Sequence, residues 1–118
     1  MGKNDQPNAE MLKGTLDMMV LRTLVTGDAH GHTIAKVIER NSEDVLEVEQ
    51  GSLYPALQRL LKAKLVKAEW GVSATNRRVR TYQITAAGLR HLEQQISSFE
   101  RMFEGIALVL NPGKSAAN

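Results

Sequence analysis

The chain has 118 residues and a net charge of +2, which is enough for one domain with a modest core. It contains no cysteine, so disulfide bonds and thiolate metal sites are excluded. No apolar run approaches the roughly 20 residues that span a bilayer, and the polar N-terminus lacks the apolar core of a signal peptide. We therefore expect a cytoplasmic protein without a membrane partner.

Charge is distributed unevenly along the chain. Residues 28–49 carry two cations and six anions, whereas residues 50–82 carry seven cations and one anion. The two flanking segments are balanced. This asymmetry indicates a polyanionic partner for the middle third, with a solvated basic surface as the alternative interpretation.

The N-terminal third predicts a tail followed by two helices. Residues 1–10 are polar and typical of a disordered tail. Apolar residues at helical spacing follow as far as Leu24, with Thr15 as the predicted cap. A turn leads to a second, short helix that begins at Thr33, and residues 45–48 predict an extended piece.

Residues 50–62 predict an amphipathic helix whose apolar side is formed by four leucines. Ser52 is the predicted cap, because its hydroxyl can accept a first-turn amide and because Pro55 is tolerated only near a helix start. The opposite side has no acid, as expected for a helix that enters a DNA major groove, although a core helix with a cationic outer face has the same pattern. That side carries Ser52, Pro55, Gln58, Arg59 and Lys62.

Two segments of β character, residues 65–70 and 79–84, predict a hairpin with a long tip over residues 71–78. Trp70 either packs at the base of this hairpin, the favoured interpretation, or stacks on a base or ligand. This basic hairpin follows two helices that are joined by a turn. An arrangement of this kind is typical of a winged helix. The expected class is therefore α+β, mostly α with a small β-hairpin. The returning side of the hairpin carries Arg77, Arg78 and Arg80.

The DNA contacts are assigned from these positions. Ser52, Gln58 and Arg59 are predicted to reach base edges, whereas the two lysines and the tyrosine hydroxyl lie nearer the phosphates. The wing arginines are predicted to follow the DNA backbone, and arginine also fits a narrow minor groove. The predicted DNA-binding residues of the helix and the turn after it are Ser52, Tyr54, Pro55, Gln58, Arg59, Lys62 and Lys64.

Thr85 is the predicted cap of a C-terminal helix of about 25 residues, roughly 37 Å long. Its apolar residues recur with steps of three and four, which is a heptad seam. The helix is longer than a small winged domain covers, so a dimer is favoured over burial of the seam on its own domain. The predicted interface residues are Leu16, Met19, Leu89, Leu92, Ile96, Phe99, Phe103 and Ile106.

These elements divide the chain into a winged-helix domain over residues 11–84, a dimerisation helix over 85–110 and a flexible tail over 111–118. Phe99, Met102 and Phe103 are candidates to line an apolar effector site at the dimer centre. A closed core is the alternative.

Several motifs, taken together, resemble one family. They are Gly14–Asp17, Leu53–Leu57, Arg59-Leu60, Glu69-Trp70, Arg77-Arg78 and Ile84–Gly88. In this joint spacing the chain resembles the compact branch of the PadR family of winged-helix transcriptional regulators. The resemblance implies a homodimeric repressor that binds palindromic double-stranded DNA, and in some members a small aromatic or cationic compound releases the DNA. In one multidrug-binding member of that family a tryptophan of the C-terminal helix stacks on the ligand. This chain departs from that member, since its only tryptophan, Trp70, lies in the predicted hairpin.

Enzymatic or metal chemistry is not predicted. His30 and His32 lie in a turn without a third metal ligand nearby, no carboxylates are paired in a catalytic pattern, and no glycine-rich phosphate loop exists. We therefore expect no cofactor. A protein-interaction module on a winged-helix scaffold, without DNA binding, is the alternative function.

Overall fold

The computed structural model describes residues 9–113 and the side chains from residue 14 onward. Within these residues, three strands form one antiparallel sheet in the order β1-β3-β2, and there are four helices, of which α1, α2 and α3 contact the sheet. The predicted α+β winged helix with a long terminal helix is confirmed, with a first strand that was not predicted. The predicted tails fall largely outside the described residues. The elements are α1 (Ala9–Val25), β1 (Ala29–His30), α2 (Gly31–Asn41), α3 (Gln50–Lys62), β2 (Val66–Val72), β3 (Arg78–Ile84) and α4 (Ala86–Leu110).

Helix α1 lies at the centre and contacts α2, α3, α4 and β3. Its Val20 and Leu21 are completely buried, as are Ile34 of α2 and Leu53 and Leu57 of α3. The burial of each such side chain stabilises the folded state by about 1.5–3 kcal/mol relative to leaving that side chain exposed. Helices α2 and α3 are therefore held against α1 by a shared apolar core.

The structure corrects the predicted boundaries of the first two helices. Thr15 lies within α1 rather than at its start, and α2 begins at Gly31, two residues before the predicted Thr33. His30 is the N-cap of α2 in an extended conformation, which lets it pair with Thr81 of β3. The segment that was predicted to be a turn thus contains strand β1, which pairs with β3.

The connection between α2 and α3 is held by side chains rather than by a strand. Residues 45–48, predicted to be extended, are not assigned to any strand. The Leu46 N–H donates to Ser42 Oγ at 3.1 Å, and the Val48 N–H donates to Glu39 Oε2 at 2.9 Å. These bonds satisfy backbone donors that a strand partner would otherwise satisfy, and they set the path into α3.

Helix α3 has the predicted bounds but a different N-cap. Its N-cap is Glu49, whose carbonyl accepts from the N–H groups of Ser52 and Leu53, so the prediction of Ser52 as the cap is wrong. Pro55 is consequently the sixth helical residue and lacks the N–H that would donate to the carbonyl of Gly51. Gly51 is exposed, so water can satisfy that carbonyl instead.

The wing is a hairpin of seven-residue strands with Trp70 opposite Arg80 and Val72 opposite Arg78. Its tip spans residues 73–77, so both strands extend further than the sequence predicted. At the tip, the Ser73 N–H donates to the Arg77 carbonyl at 2.8 Å. Asn76 adopts φ of 63°, a left-handed conformation that asparagine tolerates better than most residues.

Helix α4 has 25 residues and is capped by Thr85, as predicted. Thr85 Oγ1 accepts from the Gly88 N–H at 3.0 Å and lies 3.0 Å from the carbonyl oxygen of Leu65. The same carbonyl accepts from the Thr85 N–H at 3.0 Å. The start of α4 is therefore attached to the turn that follows α3.

Candidate nucleic-acid interface

The outer side of α3 presents the polar and cationic residues predicted from the sequence. Lys64 follows in the turn after the helix, where its φ is 63° and its side chain is exposed. Helix α3 itself contributes no acid to this side. A surface of this composition is suited to DNA, because hydroxyl, amide and cationic groups can donate to phosphates and base edges. The exposed residues of α3 are Gln50, Gly51, Ser52, Tyr54, Pro55, Gln58, Arg59 and Lys62.

An acid from another helix does reach this surface. Arg59 Nη2 donates to Asp17 Oδ1 at 2.6 Å, and Arg59 Nε donates to Asp17 Oδ2 at 3.1 Å. The hydrogen bond to Asp17 raises the pKa of Arg59, against the opposing effect of burial. The side chains remain 42% and 20% exposed, respectively. The sequence did not reveal this pair, because its members are 42 positions apart and meet only through the packing of α1 on α3.

Tyr54 lies where α3 meets the start of α2. Its side chain is 44% exposed and packs beside Gly31. A Cβ on Gly31 would lie 3.2 Å from the Tyr54 hydroxyl oxygen and 3.3 Å from its Cε1. The hydroxyl is therefore beside the first turn of α2, where backbone N–H groups favour an anion. The predicted phosphate contact of Tyr54 stays a prediction, and this position is compatible with it.

The wing carries an exposed aromatic residue between two arginines. The Arg78 guanidinium carbon lies 4.3 Å from the centre of the Trp70 ring, and that of Arg80 lies 5.7 Å from it. Trp70 is 57% exposed, so the favoured prediction of packing at the wing base is wrong. Tyr82, which is 3% exposed, occupies that position instead. Arg77 is exposed at the wing tip.

A groove of about 530 Å³ lies between α1 and α4. Phe99 and Met102, two of the three candidate effector-site residues, line it, whereas Phe103 is not among its lining residues. The effector site itself, expected at the dimer centre, stays a prediction. Gln95 also lines it, and its Oε1 is buried without a hydrogen-bond partner in the described part of the chain. The full lining consists of Gly14, Thr15, Met18, Gln94, Gln95, Ser98, Phe99 and Met102.

Metal-ligating groups do not converge within the described residues. No group of three His, Asp or Glu side chains there is arranged to hold an ion. Both ring nitrogens of His30 lie near Thr33 Oγ1, at 3.3 and 3.4 Å. Within residues 9–113, no helix is long and apolar enough to cross a bilayer.

Comparison with known proteins identifies the family. The model of the transcriptional regulator PadR-like family matches residues 20–94, which is more than half of the chain. The chain belongs to the PadR-like family. This is a family of transcriptional regulators rather than of enzymes. The match spans the last six residues of α1, then β1, α2, α3, the wing and the first nine residues of α4.

Solved structures support the same assignment. A transcriptional regulator from Clostridium thermocellum is 27% identical, with a TM-score of 0.77 over 84% of this chain and 96% of that one. A PadR-like transcriptional regulator from Bacillus cereus is 26% identical, with a TM-score of 0.72 over 86% of this chain and 97% of that one. An uncharacterised protein of Lysinibacillus sphaericus is 24% identical over 86% of this chain and 94% of its own length. The winged helix and the long terminal helix are thus common to this chain and known PadR-like regulators.

Proposed function

We propose that this PadR-like protein is a cytoplasmic repressor that binds palindromic double-stranded DNA as a homodimer. The observation that supports this best is the exposed, cationic outer side of α3 next to a wing that carries three arginines. In this proposal Gln58 and Arg59 would read base edges, and Lys62 and Lys64 would contact phosphates. The wing arginines would follow the DNA backbone or enter the minor groove.

The proposed dimer interface is the apolar side of α4. Leu89, Phe103 and Ile106 are 42%, 62% and 49% exposed in one protomer. Large apolar side chains that are exposed along one side of a helix are typical of a protein–protein interface. Leu16 and Leu92 were predicted to lie in the interface, but each is only 4% exposed and packs in the protomer's own core. They therefore have little surface left to bury against a second protomer. To bind a palindrome, such a dimer would have to present its two α3 helices to half-sites about one helical turn, roughly 34–36 Å, apart.

The interface predicts a steep dependence of DNA affinity on salt. If each protomer contacts about four phosphates, a plot of log affinity against log salt concentration should have a slope near −7. Arg78→Ala removes one contact per protomer, so the slope should become shallower by about two, with little change in sequence preference. Gln58→Ala is the matched contrast, because it should leave the slope unchanged and relax preference at one base step per half-site by roughly 1–3 kcal/mol.

Selection from a random DNA pool, followed by titrations at several salt concentrations, measures these effects. The fluorescence of Trp70 gives a direct signal from the wing, because Trp70 is the sole tryptophan and is an exposed residue of β2. Recovery of a palindrome with the expected slope supports the proposal. A salt-independent affinity, or no selected sequence, would instead favour a protein-interaction module.

The groove between α1 and α4 is proposed as the site of a small hydrophobic or aromatic effector. Met18, Phe99 and Met102 provide flexible and flat apolar contacts, and the unpartnered Gln95 Oε1 can accept from an N–H or O–H of the ligand. Planar compounds with one such donor should therefore raise the melting temperature, whereas Gln95→Leu should favour analogues without the donor. A thermal-shift screen in which no planar compound stabilises the parent protein would refute this site.

A further inference from the structure

We propose that Asp17 orients Arg59 to read a guanine, and that Asp17 is thereby a specificity-determining residue although it lies on α1. This inference rests on the proposed DNA-binding function. Its basis is the two-bond contact in which Arg59 uses Nε and Nη2 toward the Asp17 carboxylate.

The choice of nitrogens decides which edge of the guanidinium remains available. A planar guanidinium has two edges that each present a pair of parallel N–H bonds, one formed by Nε and Nη2 and the other by Nη2 and Nη1. Asp17 occupies the first edge. The second edge, at the end of the side chain, has no partner recorded among the described residues, and the side chain is 42% exposed.

A free pair of parallel N–H bonds matches one base in the major groove. Guanine presents O6 and N7 as two adjacent acceptors, whereas adenine presents one acceptor and one donor at the same edge. An arginine held in one orientation by a carboxylate loses less conformational freedom when it pairs with guanine. An unrestrained arginine on a flexible stem can instead contact any nearby phosphate.

Asp17 is also positioned rigidly enough to act in this way. Its neighbours Leu16 and Val20 are 4% and 0% exposed, so the turn of α1 that carries it is anchored in the core. The carboxylate balances the Arg59 charge, which leaves Lys62 and Lys64 as the cations of this region without a recorded acidic partner. Arg59 therefore adds directional hydrogen bonding to the surface rather than net charge.

The test measures base preference at each step of the operator selected by the parent protein, together with the salt slope. Asp17→Asn should reduce the preference for guanine over adenine at one step per half-site by about tenfold, with preferences at the other steps unchanged. The same variant should steepen the salt slope, because an anion is removed and Arg59 is free to contact a phosphate. Arg59→Ala should abolish the same guanine preference without steepening the slope.

A double-mutant cycle distinguishes positioning from a general structural effect. In the Arg59→Ala background, Asp17→Asn should cause no further loss of guanine preference, because its effect passes through that arginine. An unchanged guanine preference in Asp17→Asn overturns the inference. A uniform loss of preference at every step, including the Gln58 step, also overturns it, because Asp17 would then act by placing α3. Failure of the parent protein to bind DNA would instead refute the proposed function.

Discussion

Phe103→Asp should dissociate the proposed dimer into monomers and weaken operator binding by about 10²–10⁴-fold. The Phe103 ring is 62% exposed in the protomer, so the substitution has little effect on the fold of one chain. In the proposed dimer the new carboxylate would be buried against apolar side chains without a cation, which strongly disfavours association. A monomer loses the gain in affinity that comes from engaging two half-sites at once.

Light-scattering chromatography measures the mass, and titration with a palindrome and with a single half-site measures the loss of affinity. Ser97→Asp is the matched control, because it places the same charge on an exposed position of α4 outside the heptad seam. Ile96→Asp is less informative, since Ile96 packs against the protomer's own core and its substitution would also destabilise the fold. A native dimer in Phe103→Asp would show that the chains pair elsewhere.

Gly88→Ala should lower the free energy of unfolding by about 3 kcal/mol, at the upper end of the usual cost of overpacking. Gly88 is buried in the first turn of α4. A Cβ there would collide with the carbonyl oxygen of Leu65 and lie 2.8 Å from Cγ1 of Ile84. Relief would require the start of α4 to move away from Leu65, and this would strain the hydrogen bonds through which Thr85 joins the two segments.

Gly105→Ala is the control on the same helix. A Cβ at Gly105 meets nothing within 4 Å. The free energy of unfolding of this variant should therefore rise by roughly 1 kcal/mol, because alanine has a better helix propensity than glycine. Chemical denaturation of both variants and of the parent protein measures the two changes in the free energy of unfolding. Equal stability of Gly88→Ala and the parent protein would mean that α4 shifts on its domain without cost.

The pattern of local elements could be predicted from the sequence because each depends on near neighbours. The leucines of α3 repeat at helical spacing, and the period-two alternation of β3 places Tyr82 inward. Thr85 caps α4 through a hydrogen bond that spans only three residues. The helix boundaries were less accurate, since Ser52 has the chemistry of a cap although Glu49 occupies that position.

The candidate site was predicted in composition but not in its contacts. The exposed residues of α3 follow from helical periodicity, and so their positions could be listed in advance. The strand at Ala29 and His30 could not be predicted from the sequence, because a two-residue strand has no period and exists only through its pairing with β3. The exposure of Trp70 was also missed, because it depends on how far the wing extends beyond the core.

The winged-helix class, the cationic middle third and the long apolar helix could be predicted without a structure, because periodicity and charge are properties of neighbouring residues. Tertiary structure alone decided which apolar residues of α4 remain exposed, since the packing of α1 buries Leu92 and leaves Phe103 in solvent. It also decided that Arg59 is paired with Asp17. That contact joins residues 42 positions apart, and only the placement of α3 on α1 brings the carboxylate within hydrogen-bonding distance of the guanidinium.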